Sequence, residues 1–470
     1  MTLFGLYDNK LNILGYIVIP LCLGLIIAFS DWRFGIGLGA IILFFCLGPR
    51  IQCYMLIVSI FYPLVLTIGP INEFPVSLII TPLFLISMLS FMLLNGHPIR
   101  LGRDSRPFIF AFCLLLLCLV IGYAKNTFSV FSINLGDHES KMVGLSYLTT
   151  FTGIMVFLSA SWYFSIAFFD ENRLLRFFII IATVLALFKF TGLASILFDT
   201  SFNQPYITAS GAKRMGGFDN LVWLAVPALM AYTSQRVNTL RIFLIVVYLV
   251  FGIMSGGRAL FFGIVFATII YLSLFYKKYS ARLVLAGGII ILTMALMAQF
   301  VSLPTQIRRI SGLTMIEEGG FAQQDPGRAV TFSYFWNIFL DNPLFGKGIG
   351  IYNERMPERL SFINEQLISG GHGAYLSILA IFGIVGAVFL ALILFGTVYK
   401  SYRIILMNSL DEEPVAYKKT AIFIFLYSLV AVFYYVFGFS GFQDLKLYFV
   451  IGMLVGILEK RERHTHIIED

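Results

Sequence analysis

Among the residues that lie within two positions of a glycine in this sequence are one histidine and three arginines of particular interest: His372, Arg214, Arg258 and Arg328. A histidine can be neutral near pH 7 and can accept a proton from a hydroxyl group. The planar guanidinium group of an arginine pairs bidentately with phosphate oxygens. Neighbouring glycines let the backbone come close to a ligand. These residues are therefore candidates for activating a hydroxyl group and for holding a phosphate-bearing substrate.

Three further residues are secondary candidates for the same site: Lys189, Lys347 and Tyr375. Lys347 lies between Gly346 and Gly348, in a flexible segment that differs from a Walker loop because no strand precedes it. Each candidate taken alone also has an interpretation without chemistry. A histidine at a membrane interface can hold a water molecule, and a lysine or arginine can extend its head group out of the bilayer.

The composition predicts that membrane-spanning elements position these residues. Of the 470 residues, 59% are hydrophobic and 12% are charged, and the mean hydropathy is +0.88. Soluble domains carry about 25% charged residues, and a water-soluble core cannot absorb this much apolar surface. A bilayer can, because lipid is the solvent for the outward-facing side chains. We therefore predict an all-α polytopic membrane protein.

Apolar runs of about twenty residues, the length that crosses a bilayer as a helix, occur about fourteen times. Every second connection between them is rich in lysine and arginine, which is typical of the cytoplasmic side. This alternation predicts an even number of spans and places both termini in the cytoplasm. The predicted divisions are the first eleven or so spans in 1–301, a large extracytoplasmic loop in 302–371, and the remaining spans with a cytoplasmic tail in 372–470.

The extracytoplasmic loop is basic. Its lysines and arginines include Arg308, Arg309, Arg328, Lys347, Arg355 and Arg359. A loop this long can cross the membrane despite its charge, so the predicted orientation stands. The charge favours an anionic ligand near the outer leaflet, although an ordinary solvated loop would also account for it.

Within this loop, Asp325 and Pro326 predict the start of a helix, because aspartate caps helices and proline suits the first helical position. Apolar residues then recur at helical spacing through Phe335 and Trp336, which predicts an amphipathic helix at the outer interface. Asn342-Pro343 predicts its end. His372 opens the next span.

Several motifs resemble those of the O-antigen ligase and polymerase superfamily. One is NPLFGKG at 342–348, and another is HGAYL at 372–376, which opens a glycine-bearing helix. The turn SGGR at 255–258 and the position of Arg214 ahead of two glycines are also similar to family positions. The resemblance is specific over about 205–390. Gly373 departs from it, since the family often has asparagine there.

The resemblance implies a membrane glycosyltransferase of the GT-C type, with no cofactor and no metal. It would take its glycan from undecaprenyl diphosphate on the outer face of a bacterial inner membrane. By matching position, His372 would be the general base for the acceptor hydroxyl, and Arg214, Arg258 and Arg328 would hold the diphosphate. The partners implied are a lipid-linked oligosaccharide, a chain-length regulator and a flippase, and no nucleic acid.

Two reactions of this superfamily stay open. A polymerase transfers a growing glycan to another lipid-linked repeat unit, whereas a ligase transfers the finished glycan to lipid A-core or a protein. The chain length and the number of spans favour the polymerase. A lipid-glycan flippase is the alternative from another class, but its charges should lie inside spans rather than at outer helix ends. If neutral His372 is the base, activity should fall as the pH drops below about 6.

Overall fold

The computed structural model describes residues 41, 43–61, 65–68, 71–95, 102–130, 138–166, 169–190, 205–207, 213–215, 218–233, 243–245, 247–249, 258–275, 335–348, 374–407, 417–437 and 444–469. His372 and Arg328 lie outside these residues. Residues 326–334, the first part of the predicted amphipathic helix, also lie outside them.

The described part of the chain is predominantly helical, because its long apolar runs contain few residues that break a helix. In the first half, the helices are α1 (Pro49–Phe61), α2 (Ser77–Asn95), α3 (Arg106–Val130), α4 (His138–Ile166) and α5 (Glu171–Phe190). In the second half, they are α6 (Phe218–Thr233), α7 (Arg258–Phe275), α8 (Ala374–Met407), α9 (Lys418–Phe437) and α10 (Leu445–Glu469). A further short helix occupies 335–341.

Two short antiparallel ribbons connect helices. One pairs β1 (Val65–Ile68) with β2 (Ile71–Pro75), and the other pairs β3 (Pro205–Ile207) with β4 (Lys213–Met215). The apolar run at 51–69 predicts one spanning helix, but α1 ends at Phe61 and β1 follows. Pro63 supplies the physical reason, since the residue before a proline is pushed away from helical geometry.

Helices α4 and α10 pack closely and run in the same direction, because small residues line their contact. A Cβ atom on Gly452 would lie 2.6 Å from the carbonyl oxygen of Phe157, and one on Gly456 would lie 2.5 Å from that of Ser161. Gly153 meets Tyr448 in the same way, at 2.7 Å. This spacing of two glycines four residues apart is typical of helix contacts inside membranes, where close backbone approach replaces the hydrophobic effect.

Contacts between helices define one end of the bundle, which we call the Glu171 end. Glu171, at the start of α5, accepts hydrogen bonds from the backbone of Tyr417 and Thr420, at the start of α9. Glu462, near the end of α10, accepts hydrogen bonds from backbone N–H groups just before α3. Lys419 lies over the ring of Tyr232, near the end of α6. Helices α3, α5 and α9 therefore begin at this end, and α6 and α10 finish there.

The opposite end of the bundle, which we call the Arg258 end, holds the other helix termini. Contacts at the Glu171 end show which termini these are. Tyr271, near the end of α7, donates to the carbonyl of Met230, near the end of α6, at 2.9 Å. Lys400 and Arg403, near the end of α8, pair with Asp104 just before α3. Since α7 and α8 finish at the Glu171 end, the starts of α6, α7, α8 and α10 share the Arg258 end.

Apolar side chains cover much of the outer surface of the described bundle. Leu93 is 82% exposed, Val120 64% and Phe395 63%, as expected for surfaces that face lipid. Among the described residues, two helical stretches are long and apolar enough to cross a membrane, Leu148–Ile166 and Leu376–Leu406. The prediction of a helical membrane protein is confirmed, whereas the count of about fourteen spans and the GT-C type stay predictions.

Candidate functional site

The backbones of four candidate residues lie at the Arg258 end. Arg258 is the first residue of α7, Tyr375 is the second residue of α8, and Lys189 is in the last turn of α5. Arg214 lies in the middle of β4, opposite Tyr206 of β3, four residues before α6 begins. Of the remaining three candidates, Lys347 lies in the described segment 335–348, whereas His372 and Arg328 lie outside the described residues. The sequence places His372 two residues before α8.

The segment that carries Lys347 begins with the end of the short helix 335–341. Phe335 is 2% exposed and Trp336 is 41% exposed, so this helix has a buried side and an exposed side. Asn342 donates its backbone N–H to Ile338 at 3.1 Å, and Gly346 donates to Asn342 at 3.0 Å. The predicted helix end at Asn342-Pro343 is therefore confirmed, and a compact turn follows it.

That turn is seated in a break in α8. Gly383 has φ 63° and ψ −153°, a backbone region open essentially to glycine alone. The break was not predicted, because the apolar run from His372 is continuous and indicates one span. The structural reason is that the turn at 343–348 occupies the space that a continuous helix would need. A Cβ atom on Gly383 would lie 2.6 Å from the carbonyl oxygen of Pro343.

Four backbone hydrogen bonds join the turn to the two sides of the break. Lys347 and Gly348 donate to the carbonyls of Ala380 and Ile381, at 2.9 and 3.0 Å. On the other side of Gly383, Ile384 donates its backbone N–H to the Pro343 carbonyl at 2.8 Å, and Val385 donates its N–H to the Leu344 carbonyl at 3.3 Å. The secondary candidate Lys347 is thus fixed by its backbone to the first part of α8.

A buried charge cluster also lies at the Arg258 end. Lys446 and Asp444, at the start of α10, form an ion pair at 3.5 Å with side chains only 11% and 10% exposed. The Lys446 ammonium lies 5.4 Å from the ring centre of Trp223. Trp223 lies five residues into α6, about 7.5 Å along the axis from the start of that helix. The cluster therefore lies close to the point where the Arg214 strand leads into α6.

Asp444 and Lys446 are not among the candidate residues predicted from the sequence. A usable signal was present, since both lie at the start of the last apolar run. Ionisable residues inside a membrane segment are expensive and mark functional positions by default. Two opposite charges two residues apart, at the membrane edge, would have placed α10 among the elements of the candidate site.

These observations define what the Arg258 end can do chemically. It gathers the N-termini of several described helices, α6, α7, α8 and α10 among them, whose free N–H groups carry partial positive charge. Arg258 is one of these N-terminal residues, Arg214 and Lys446 lie on adjoining segments, and the turn brings in Lys347. Helix N-termini and guanidinium groups both bind anions such as phosphate. The arrangement suits a phosphate-bearing substrate that enters from the bilayer.

Comparison with known proteins gives a family for this region. Residues 243–391 match the family model described as O-antigen ligase. The matched segment contains Arg258, Arg328, Lys347, His372 and Tyr375. The match confirms the superfamily that the motifs indicate. No curated protein matches the chain.

Proposed function

Since residues 243–391 form a region of the O-antigen ligase family, we propose that this membrane protein polymerises the repeat units of a surface polysaccharide. The growing glycan leaves one undecaprenyl diphosphate and is joined to a sugar hydroxyl of another lipid-linked repeat unit. The observation that carries the proposal is the position of Arg258, Arg214 and Tyr375 at one end of the bundle. Two of these three residues belong to the matched region.

The proposed transfer needs a base and a stabilised leaving group. His372 takes the proton of the acceptor hydroxyl while its oxygen attacks the anomeric carbon of the donor glycan. The bond from that carbon to the phosphate oxygen breaks, and undecaprenyl diphosphate leaves with the electron pair. Arg214, Arg258 and Arg328 oppose the negative charge that develops, which fixed cations do with little reorganisation in a poorly hydrated site. In this proposal, arginines take the place of a metal ion.

The proposed orientation places the Arg258 end in the periplasm of a bacterial inner membrane. The Glu171 end carries many of the lysines and arginines that the described helix ends contain, among them Arg50, Arg103, Arg106, Arg173, Arg176, Lys400, Arg403, Lys418 and Lys419. Positive charge of this kind is typical of the cytoplasmic side. Both termini would then be cytoplasmic. The lipid-linked donor would reach the site laterally from the outer leaflet.

A ligase is the second candidate, because the matched family model is described as O-antigen ligase. Both reactions share the donor and differ only in the acceptor. Chain length and the predicted number of spans favour the polymerase. Expected cellular partners of a polymerase are a flippase that supplies lipid-linked units and a regulator of chain length.

Purified protein in vesicles tests this proposal. With lipid-linked repeat units as the sole glycan substrate, a polymerase produces a ladder of longer glycans on a gel. If longer glycan forms only when lipid A-core is added, and is attached to it, the chain is a ligase. Transfer of label across the vesicle membrane without any change in glycan length supports the flippase instead.

A further inference from the structure

The interlock between the turn at 343–348 and α8 preserves the backbone hydrogen bonding of a broken helix. In a continuous helix, Ile384 and Val385 would donate to the carbonyls of Ala380 and Ile381, four residues earlier. In this protein all four of these groups bond to the turn instead, at 2.8 to 3.3 Å. An unsatisfied backbone group within a bilayer costs several kcal/mol, so the turn and the break stabilise each other.

Two glycines make this exchange possible. Gly346 has φ 63°, and a Cβ atom there would lie 2.5 Å from the backbone nitrogen of Phe382. Gly383 has the same positive φ, and its missing side chain leaves room for the carbonyl of Pro343. Both contacts are with backbone atoms, which cannot rotate away as a side chain can. Any larger residue at either position must therefore push the turn and the helix apart.

The break separates the first part of α8, residues 374–382, from the remainder of the helix. His372 comes two residues before this half-helix in the sequence, and Tyr375 is part of it. Helical continuity does not fix the direction of the half-helix, because Gly383 interrupts it. The bonds from Lys347 and Gly348 tie it to the turn.

We propose that Gly346 and Gly383 are positioning residues for the proposed glycosyl transfer. Their interlock sets the half-helix 374–382, and with it His372, against the arginines that hold the diphosphate. This inference rests on the proposed function. Because Arg214 and Arg258 belong to other elements, loosening the interlock should impair the chemical step more than donor binding. A misplacement of about 1 Å in a reacting group can lower a rate on the order of 100-fold.

Two comparisons between variants test the inference through kcat and the KM for the lipid-linked donor. The first compares G346A and G383A with G396A, since a Cβ atom on Gly396 makes only ordinary contact with Phe108, at 3.4 Å. The second compares I384P with I384A. Proline at the start of the second half-helix fits helical geometry but lacks the N–H that bonds Pro343, whereas alanine keeps it.

We expect kcat to fall about 10- to 100-fold in G346A, G383A and I384P, with the donor KM within about threefold of wild type. G396A and I384A should resemble wild type. If the glycine variants do not fold, the comparison of I384P with I384A decides alone. The inference is overturned if I384P matches I384A in kcat, or if kcat and donor affinity fall together.

The variant H372A separates this inference from the proposed function. If H372A turns over as fast as wild type, the proposed function is wrong. If H372A is inactive while G346A, G383A and I384P are fully active, the positioning role alone is wrong.

Discussion

The two ends of this bundle differ in the charged groups that lie at their helix N-termini. At the Glu171 end, carboxylates from other helices accept hydrogen bonds from the backbone N–H groups at helix starts. Glu171 accepts from the N–H groups of Tyr417 and Thr420, at 2.9 and 2.6 Å, and so caps α9. Glu462 accepts from two N–H groups just before α3, at 3.0 and 2.9 Å. An anion at a helix N-terminus opposes the partial positive charge there and stabilises the fold.

At the Arg258 end, α10 is capped by its own Asp444, which accepts from the N–H of Lys446 at 3.1 Å, whereas two other helices begin without a carboxylate. Helix α7 begins with Arg258, and neither α7 nor α8 has an acidic residue in its first turn. A cation beside a helix N-terminus is unfavourable for the helix dipole. It becomes favourable once an anion such as diphosphate binds between the two. The start of α9 is therefore stabilised by a carboxylate from another helix, whereas the start of α7 accepts a cost that a bound anion would offset, as functional sites commonly do.

The sharpest test of this contrast is H372A, which should lower kcat by about 10² to 10⁴-fold because the acceptor hydroxyl loses its base. Its thermal unfolding should match wild type, since the contacts of the Glu171 end are untouched. Turnover is measured as glycan lengthening in vesicles. A loss of turnover that is accompanied by a large drop in unfolding temperature would mean that His372 is structural.

Arg258→Lys should have the next largest effect, lowering kcat/KM about 10- to 100-fold, because lysine keeps the charge but loses the bidentate fork. The matched control is Arg173→Lys at the Glu171 end. Arg173 is 69% exposed and pairs with Asp170 at 3.4 Å, a surface ion pair of small energetic value, so the control should be unchanged. Equal activities in the two variants would contradict diphosphate binding by Arg258.

Lys446→Met tests whether the buried ion pair belongs to the functional end. Methionine keeps most of the side-chain length and removes the ammonium, so Asp444 loses the charge that pairs with it at 3.5 Å. We expect kcat/KM to fall roughly 10-fold, together with a loss of unfolding free energy of about 3 kcal/mol for a broken buried pair. The double variant D444N/K446M should recover stability but not activity. Recovery of both would assign the pair to folding alone.

The sequence predicted the helical class and the end of the helix at Asn342, because apolar runs and proline positions are local signals. It also selected Arg258 and Arg214 from their neighbouring glycines. It missed the break at Gly383 for a different reason. Nothing near Gly383 distinguishes it from Gly386 three residues later, and the groups that replace its helical hydrogen bonds come from Pro343 and Leu344, forty residues away in the sequence.

The smallest expected effect concerns Glu171 at the stabilising end, and it should appear in stability alone. Burial is the largest influence on this carboxyl and raises its pKa above the ordinary value of 4.5. The N–H groups of Thr420 and Tyr417 and the charge of Lys419 oppose that shift without cancelling it. Since the folded state then holds its proton more tightly than the unfolded state, the contribution of this carboxyl to stability is fully present below about pH 4.5 and is lost as the pH rises through the folded-state pKa.

Glu171→Gln removes this titration and keeps one side-chain oxygen as an acceptor. The unfolding temperature of wild type relative to the Gln variant should therefore decline as the pH is raised from about 4 to 7, while kcat at pH 7 stays equal in the two proteins. A relative gain for wild type over the same range would show that the bonds from α9 outweigh burial and depress the pKa. The Glu171 carboxylate would then act on α9 as a fully charged cap, and the contrast with the start of α7, which Arg258 occupies, would be stronger.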